Sequence, residues 1–212
     1  PLELWLPATY TRPPVYPYLF ASVSMARLVR GGFASAVHCH MSKPPVILIK
    51  EAEAAAGAAA EIGLRIAFVV PLRDRNRLAY AEDETILARL DPDVRENVAR
   101  MWLSDLPPIA EQLACVAEIA ERCEGPEFHV QYGPVGVEFC SDALLERVAE
   151  DSARDGRRVH MHLLETRYAR EWVDTRYPDG VVRHLDRIGL LSDRLTVAHG
   201  VWLRPDECAL LA

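Results

Sequence analysis

Polar and apolar positions along the chain follow a repeating grammar. Short β-rich runs at 34–38, 65–70, 127–132, 157–163 and 195–199 alternate with longer stretches of helical period. This alternation is the mark of βαβ units and a parallel sheet, so the expected fold class is α/β. Five such strands suit an open doubly wound sheet or a (β/α)8 barrel equally well on pattern alone. The intervening helices show faces and stops. An alanine-rich segment, 50–62, ends at Gly63, where a glycine can take positive φ. In 108–123, Ile109, Leu113, Val116, Ala117 and Ala120 form one stripe. Ser141 is placed to cap a helix reaching about residue 153, and Val181, Val182, Leu185 and Ile188 form a stripe closed by Gly189. The opening, residues 5–20, reads as an aromatic and proline-rich stretch.

One segment breaks the grammar. Residues 72–107 are too long for a βα connection, which usually runs about 2–6 residues. The segment carries Arg73, Asp74, Arg75, Asn76 and Arg77, then two short helical patterns, 84–90 and 93–102. An insertion after a barrel strand lies on the C-terminal face, where lids and substrate loops sit. It reads either as a lid or as a solvated charged excursion.

Composition narrows the partners. At 212 residues, 50% hydrophobic and 26% charged, the chain can bury a sizeable core. A net charge of −7 gives no cationic surface for nucleic acid or anionic lipid, which leaves a small molecule as the expected partner. Cys39, Cys115, Cys123, Cys140 and Cys208 are odd in number and lack a C-x-x-C pair, as suits a reducing compartment. No apolar run reaches the roughly 20 residues of a membrane helix, so the expected location is the cytoplasm. Beginning at Pro1 without Met and ending inside a helical pattern, the chain reads as part of a longer protein, with a homo-oligomer possible.

The candidate chemistry sits at strand ends. In Val159-His160-Met161-His162-Leu163-Leu164-Glu165-Thr166, alternation places His160 and His162 on one face and Glu165 just past the strand. On an inward face His162 would lie at the rim and His160 one layer deeper. An imidazole suits zinc or iron, and a carboxylate three residues on can reach a water held by such an ion. Two histidines in a strand also serve as packing and hydrogen-bonding groups. His199, in Thr196-Val197-Ala198-His199-Gly200, follows one βα unit later, so in a parallel barrel the two strand ends are neighbours. A third group, Val37-His38-Cys39-His40-Met41, has the form of an H-x-H metal pair.

These residues resemble the amidohydrolase superfamily, in the branch of cytosine and guanine deaminases and s-triazine hydrolases. The resemblance runs through nearly the whole chain. Pro1-Leu2-Glu3-Leu4-Trp5-Leu6 resembles the loop after the first barrel strand, and Arg30-Gly31-Gly32-Phe33-Ala34-Ser35 the approach to the second. Gly133-Pro134 followed by Cys140-Ser141-Asp142 resembles the loop after the fourth. The resemblance implies a (β/α)8 barrel of which this chain covers about strands 2 to 6. It makes His162 a ligand of one divalent metal, zinc or iron, Glu165 the proton carrier and His199 the contact to attacking water or developing charge. It moves His38 and His40 off the ligand list, since the family's H-x-H belongs on the first strand, before Pro1, and the last metal Asp follows Ala212. Where several deaminases place a substrate-contacting His after Gly-Pro, this chain has Val135, which offers no side-chain donor, and Glu138 or the 72–107 insertion stands in as the substrate contact.

The implied activity is hydrolytic deamination of a small amino-substituted heterocycle. Ring opening, loss of another leaving group such as chloride, or a catalytically inert barrel kept for binding are the alternatives. A nucleotide-binding doubly wound domain is disfavoured, because neither G-x-G-x-x-G nor G-x-x-x-x-G-K-[ST] occurs.

Overall fold

The computed structural model describes residues 15–42, 47–103 and 105–211. Among them the order is α1 (Pro17–Arg30), β1 (Ser35–Cys39), α2 (Leu48–Ile62), β2 (Arg65–Leu72), α3 (Asp83–Leu87), α4 (Pro92–Trp102) and α5 (Ile109–Cys123). Then come β3 (Phe128–Pro134), α6 (Asp142–Asp155), β4 (Val159–Leu163), α7 (Arg167–Arg176), α8 (Val181–Arg187), β5 (Leu195–His199) and α9 (Pro205–Leu211). The stretch resembling a first-strand loop, residues 1–6, lies outside the described residues.

The strands form one five-stranded sheet in the order β1-β2-β3-β4-β5. The β3–β4 and β4–β5 pairs are parallel. An open doubly wound sheet reverses its strand order at a switch point, whereas barrel strands follow in sequence. The observed order is therefore the barrel's, which decides between the two architectures that hydrophobic pattern left level.

The chain divides into two compact units. The first comprises Pro1–Phe68 and Ala117–His129. In it α1 packs on α2, whose alanines Ala52, Ala55, Ala58 and Ala59 are at most 2% exposed, so two helix backbones approach closely. A Cβ at Gly57 would stand 3.7 Å from Tyr18 Cε2, and Gly63 closes α2 with φ 75°, as its position predicts. Phe68 stacks on Phe128 at 5.1 Å.

The second unit comprises Val69–Val116 and Val130–Ala212. Its core gathers Val130, Leu144, Leu145, Val148, Met161, Leu163, Val182, Leu185 and Leu190, all buried. Ser141 caps α6 by accepting from the Leu144 N–H at 3.1 Å, and Thr166 caps α7 through Ala169 N–H at 3.1 Å. Gly133 has no room for a side chain, since a Cβ there would stand 2.5 Å from Val69 Cγ1 and from the Val70 carbonyl oxygen.

The root of the 72–107 excursion is laced to the loop that follows β3. Asp74 accepts from the Ser141 N–H at 2.7 Å and from its hydroxyl at 2.5 Å. The Asp74 and Arg75 N–H groups both donate to the Phe139 carbonyl, and Asn76 Nδ2 donates to the Glu138 carbonyl at 2.6 Å. Asn76 holds φ 48°, a conformation asparagine tolerates better than most residues. This end of the excursion is bonded structure rather than a freely solvated loop.

Candidate active site

Strand alternation sets up the site. Along β4, Val159, Met161 and Leu163 are at most 1% exposed and belong to the apolar core, which leaves His160 and His162 on the opposite face. Their rings lie 6.0 Å apart. Burial lowers both imidazole pKa values, and the neighbouring histidines lower them further, so the neutral form is favoured. At His162 the Glu165 charge and the Val135 backbone oppose the shift.

Two departures from regular backbone then aim the remaining groups. Leu164 has φ 53°, so the chain turns sharply between His162 and Glu165. His199 has φ 73° and Gly200 φ 62°. The parallel register pairs His162 with Ala198 and Leu163 with His199. Simple alternation would put His199 on the Leu163 side, the apolar one. The left-handed backbone breaks the alternation and brings its ring to 5.3 Å from the His162 ring. Such conformations cost about 1–3 kcal/mol in a non-glycine residue and persist where surroundings fix them. Here Gly200 N–H donates to the Leu163 carbonyl at 2.9 Å and Trp202 N–H to the Leu164 carbonyl at 3.2 Å, which ties the two strand ends together.

The result is a compact polar group. His199 Nε2 lies 3.0 Å from Glu165 Oε2, and Tyr80 Oη donates to Glu165 Oε1 at 3.2 Å. Thr166 Oγ1 donates to Tyr80 Oη at 3.1 Å. The structure thus brings His162, Glu165 and His199 together at one end of β4 and β5, and adds a tyrosine that pattern reasoning did not single out. An open cleft of about 830 Å³, walled by Tyr80, Glu82, Tyr168, Trp172, Arg75 and Arg176, shares Tyr80 with this group, while His162, Glu165 and His199 do not line it.

Glu138 is 4% exposed, and its Oε2 has no hydrogen-bond partner. Burial pushes its carboxyl pKa up to about 7, with the Glu165 charge adding to the rise and its own backbone N–H and Arg75 opposing it. Gly136 passes close over this carboxyl, and a Cβ there would be 2.8 Å from Oε2. Val135 contributes backbone rather than side chain: its N–H donates to the Leu72 carbonyl at 3.0 Å.

The H-x-H pair His38 and His40 forms a separate chain of bonds in the first unit. His40 Nε2 meets Glu51 Oε2 at 2.9 Å, His40 Nδ1 meets His38 Nε2 at 3.3 Å, and both rings pack against Phe68. Burial and His40 lower the His38 pKa to about 4, against the pull of Glu51, so His38 is neutral. Both ring nitrogens of His40 are engaged in these contacts. Among the described residues no three or more His, Cys, Asp or Glu side chains are grouped to hold a metal. His162 by itself suits a divalent ion: burial and the neighbouring His199 keep its ring neutral, which leaves a lone pair to give.

The sequence profile described as "Amidohydrolase family" matches residues 1–212. The chain belongs to the amidohydrolase family. Within this family it is 35% identical over 138 residues to a 5'-deoxyadenosine deaminase of Methanothrix thermoacetophila, a match covering 65% of this chain and 33% of that protein. Among solved structures, an adenosine deaminase from Xanthomonas campestris with bound zinc superposes with TM-score 0.70 at 22% identity, over 99% of this chain and 42% of that one. A variant of an atrazine chlorohydrolase from Arthrobacter aurescens TC1, complexed with zinc and atraton, gives TM-score 0.69 at 19% identity, over 92% and 40%. At these identities the likeness is one of fold, and it makes the five-stranded α/β sheet part of a (β/α)8 barrel. This amidohydrolase chain spans less than half the length of the proteins it matches. Among the described residues no helix is long and apolar enough to cross a membrane.

Proposed function

We propose that this amidohydrolase is a metal-dependent hydrolase that deaminates a small amino-substituted heterocycle. The observation carrying the reading is the carboxylate of Glu165 beside His199, 3.0 Å apart, at the strand end that presents His162. The matched relatives named as deaminases of adenosine-type compounds support the same reaction class.

His162 would hold one divalent ion, zinc or iron, which supplies the acidity that turns water into a nucleophile near neutral pH. Glu165 carries a proton between that water and a ring nitrogen or the leaving amine, a task for a carboxylate within hydrogen-bond reach. The His199 ring, shared with Glu165, faces the same space and donates to oxygen as charge builds on it. Glu138, buried and unpaired at Oε2, is the polar side chain that stands in as the substrate contact where Val135 offers none.

The test is an ammonia-release screen of the full-length, metal-loaded protein against amino-purines, amino-pyrimidines and amino-triazines. Turnover of at least one amino-heterocycle is expected. No ammonia from any of them overturns deamination, and ring-opened or dechlorinated products in the same mixtures would redirect the reading to the corresponding hydrolysis. Replacing His162 by Ala should weaken metal binding by an order of magnitude or more, since even outer partners of a ligating histidine are worth about 10–100-fold in affinity. Unchanged metal content after dialysis would remove His162 from the ligand set.

A further inference from the structure

We infer that Tyr80 is a positioning residue: its hydroxyl, delivered by the 72–107 excursion, holds the Glu165 carboxylate against His199. The inference rests on Glu165 being the proton carrier proposed above.

A glutamate side chain has three rotatable bonds, and one hydrogen bond at one oxygen leaves its carboxyl plane free to swing. Glu165 is tied at both oxygens, Oε2 to His199 and Oε1 to Tyr80. The two ties draw on opposite oxygens and so fix both position and plane. The direction of the Tyr80 bond is also fixed. A phenol has one proton to give, and Tyr80 Oη already receives one from Thr166 Oγ1, so its own proton points to Glu165. Thr166 is anchored in turn, because its oxygen accepts from Ala169 N–H as the cap of α7. A continuous line of donors therefore runs from the first turn of α7 through Thr166 and Tyr80 to Glu165.

The ring of Tyr80 is held as well. It lies 5.9 Å from the Phe139 ring and 6.5 Å from that of Tyr168, the latter nearly parallel at 25°. Phe139 belongs to the loop that fastens the root of the excursion through Asp74, Arg75 and Asn76. Burial, with the nearby carboxylates of Glu165 and Glu138, raises the hydroxyl pKa well above the ordinary tyrosine range despite the Thr166 bond, so Tyr80 remains a donor across the working pH range. The excursion places a fixed hydrogen-bond donor on the carboxylate that must move protons.

Replacing Tyr80 by Phe removes one oxygen and keeps the ring. The expected result is a kcat lower by about 10–100-fold with KM changed by less than about threefold, the pattern of a group that sets geometry in the transition state rather than binding. Metal content and thermal midpoint should match the parent protein. In the crystal structure of Tyr80→Phe the Glu165 carboxylate should leave His199 Nε2 or occupy more than one rotamer. An unmoved Glu165, or a kcat within about twofold of the parent, overturns the inference. Assaying Glu165→Gln alongside separates the two layers. If that variant is inactive while Tyr80→Phe is fully active, the positioning role fails alone. If Glu165→Gln is itself active, the proton-carrier reading fails, and the carboxylate's position in the Tyr80→Phe crystal still decides whether tyrosine holds it.

Discussion

Glu165→Gln is expected to lower kcat by about 10²–10⁴-fold, the range ascribed to a positioned acid–base group, while bound metal stays at the parent level. Glutamine keeps the volume and the hydrogen-bonding reach of glutamate but cannot carry a proton between water and leaving group. Its amide can still sit between Tyr80 Oη and the His199 ring, so the strand ends linked by Gly200 N–H and the Leu163 carbonyl should remain in place. Metal is retained because the imidazole lone pair of His162 is untouched. Steady-state kinetics on the substrate found by ammonia release, with metal analysis of the same sample, check both halves. A variant keeping more than about a tenth of the parent kcat would show that Glu165 does not carry the proton. Parallel loss of metal and of thermal stability would recast it as a structural residue.

The strands were legible because each is a short apolar run bounded by turn residues, and the register that matters, His160 and His162 on one face, follows from a period of two. Other features leave weaker traces. The segment read as an aromatic, proline-rich opening is helical from Pro17, with proline at the first helical position where its missing N–H costs nothing. Helix α7 buries only Ala169, Arg170 and Val173, so its apolar stripe is too thin to stand out from a charged sequence. The candidate site was legible in its residue types but not in its geometry. His199 reaches Glu165 through a left-handed backbone that alternation does not foresee. Tyr80 meets Glu165 across 85 residues of sequence, from an irregular segment with no period to read. Both are long-range or strained features fixed by the fold rather than by local preference, and such exceptions collect at functional sites.

Away from the site, Arg170→Met should destabilise the protein by about 3–5 kcal/mol, the cost of stranding one member of a buried ion pair. Glu207 is 1% exposed, and its Oε2 takes both Arg170 Nη1 at 2.7 Å and the Arg204 N–H at 2.9 Å. Arg170 Nη2 also donates to Asp174, which Arg204 Nη2 reaches at 2.7 Å. Arg170 therefore joins α7 to the first turn of α9 by neutralising a carboxylate with almost no access to water. Methionine fills much the same volume, so the loss comes from charge rather than from a cavity. The double variant Arg170→Met with Glu207→Leu removes both charges and should regain most of the stability, because an apolar pair of similar size often equals a buried ion pair. Urea unfolding of the parent, the single and the double variants measures this directly. A single variant within about 1 kcal/mol of the parent would mean that Glu207 finds water or another partner, and that the pair is worth no more than an exposed one.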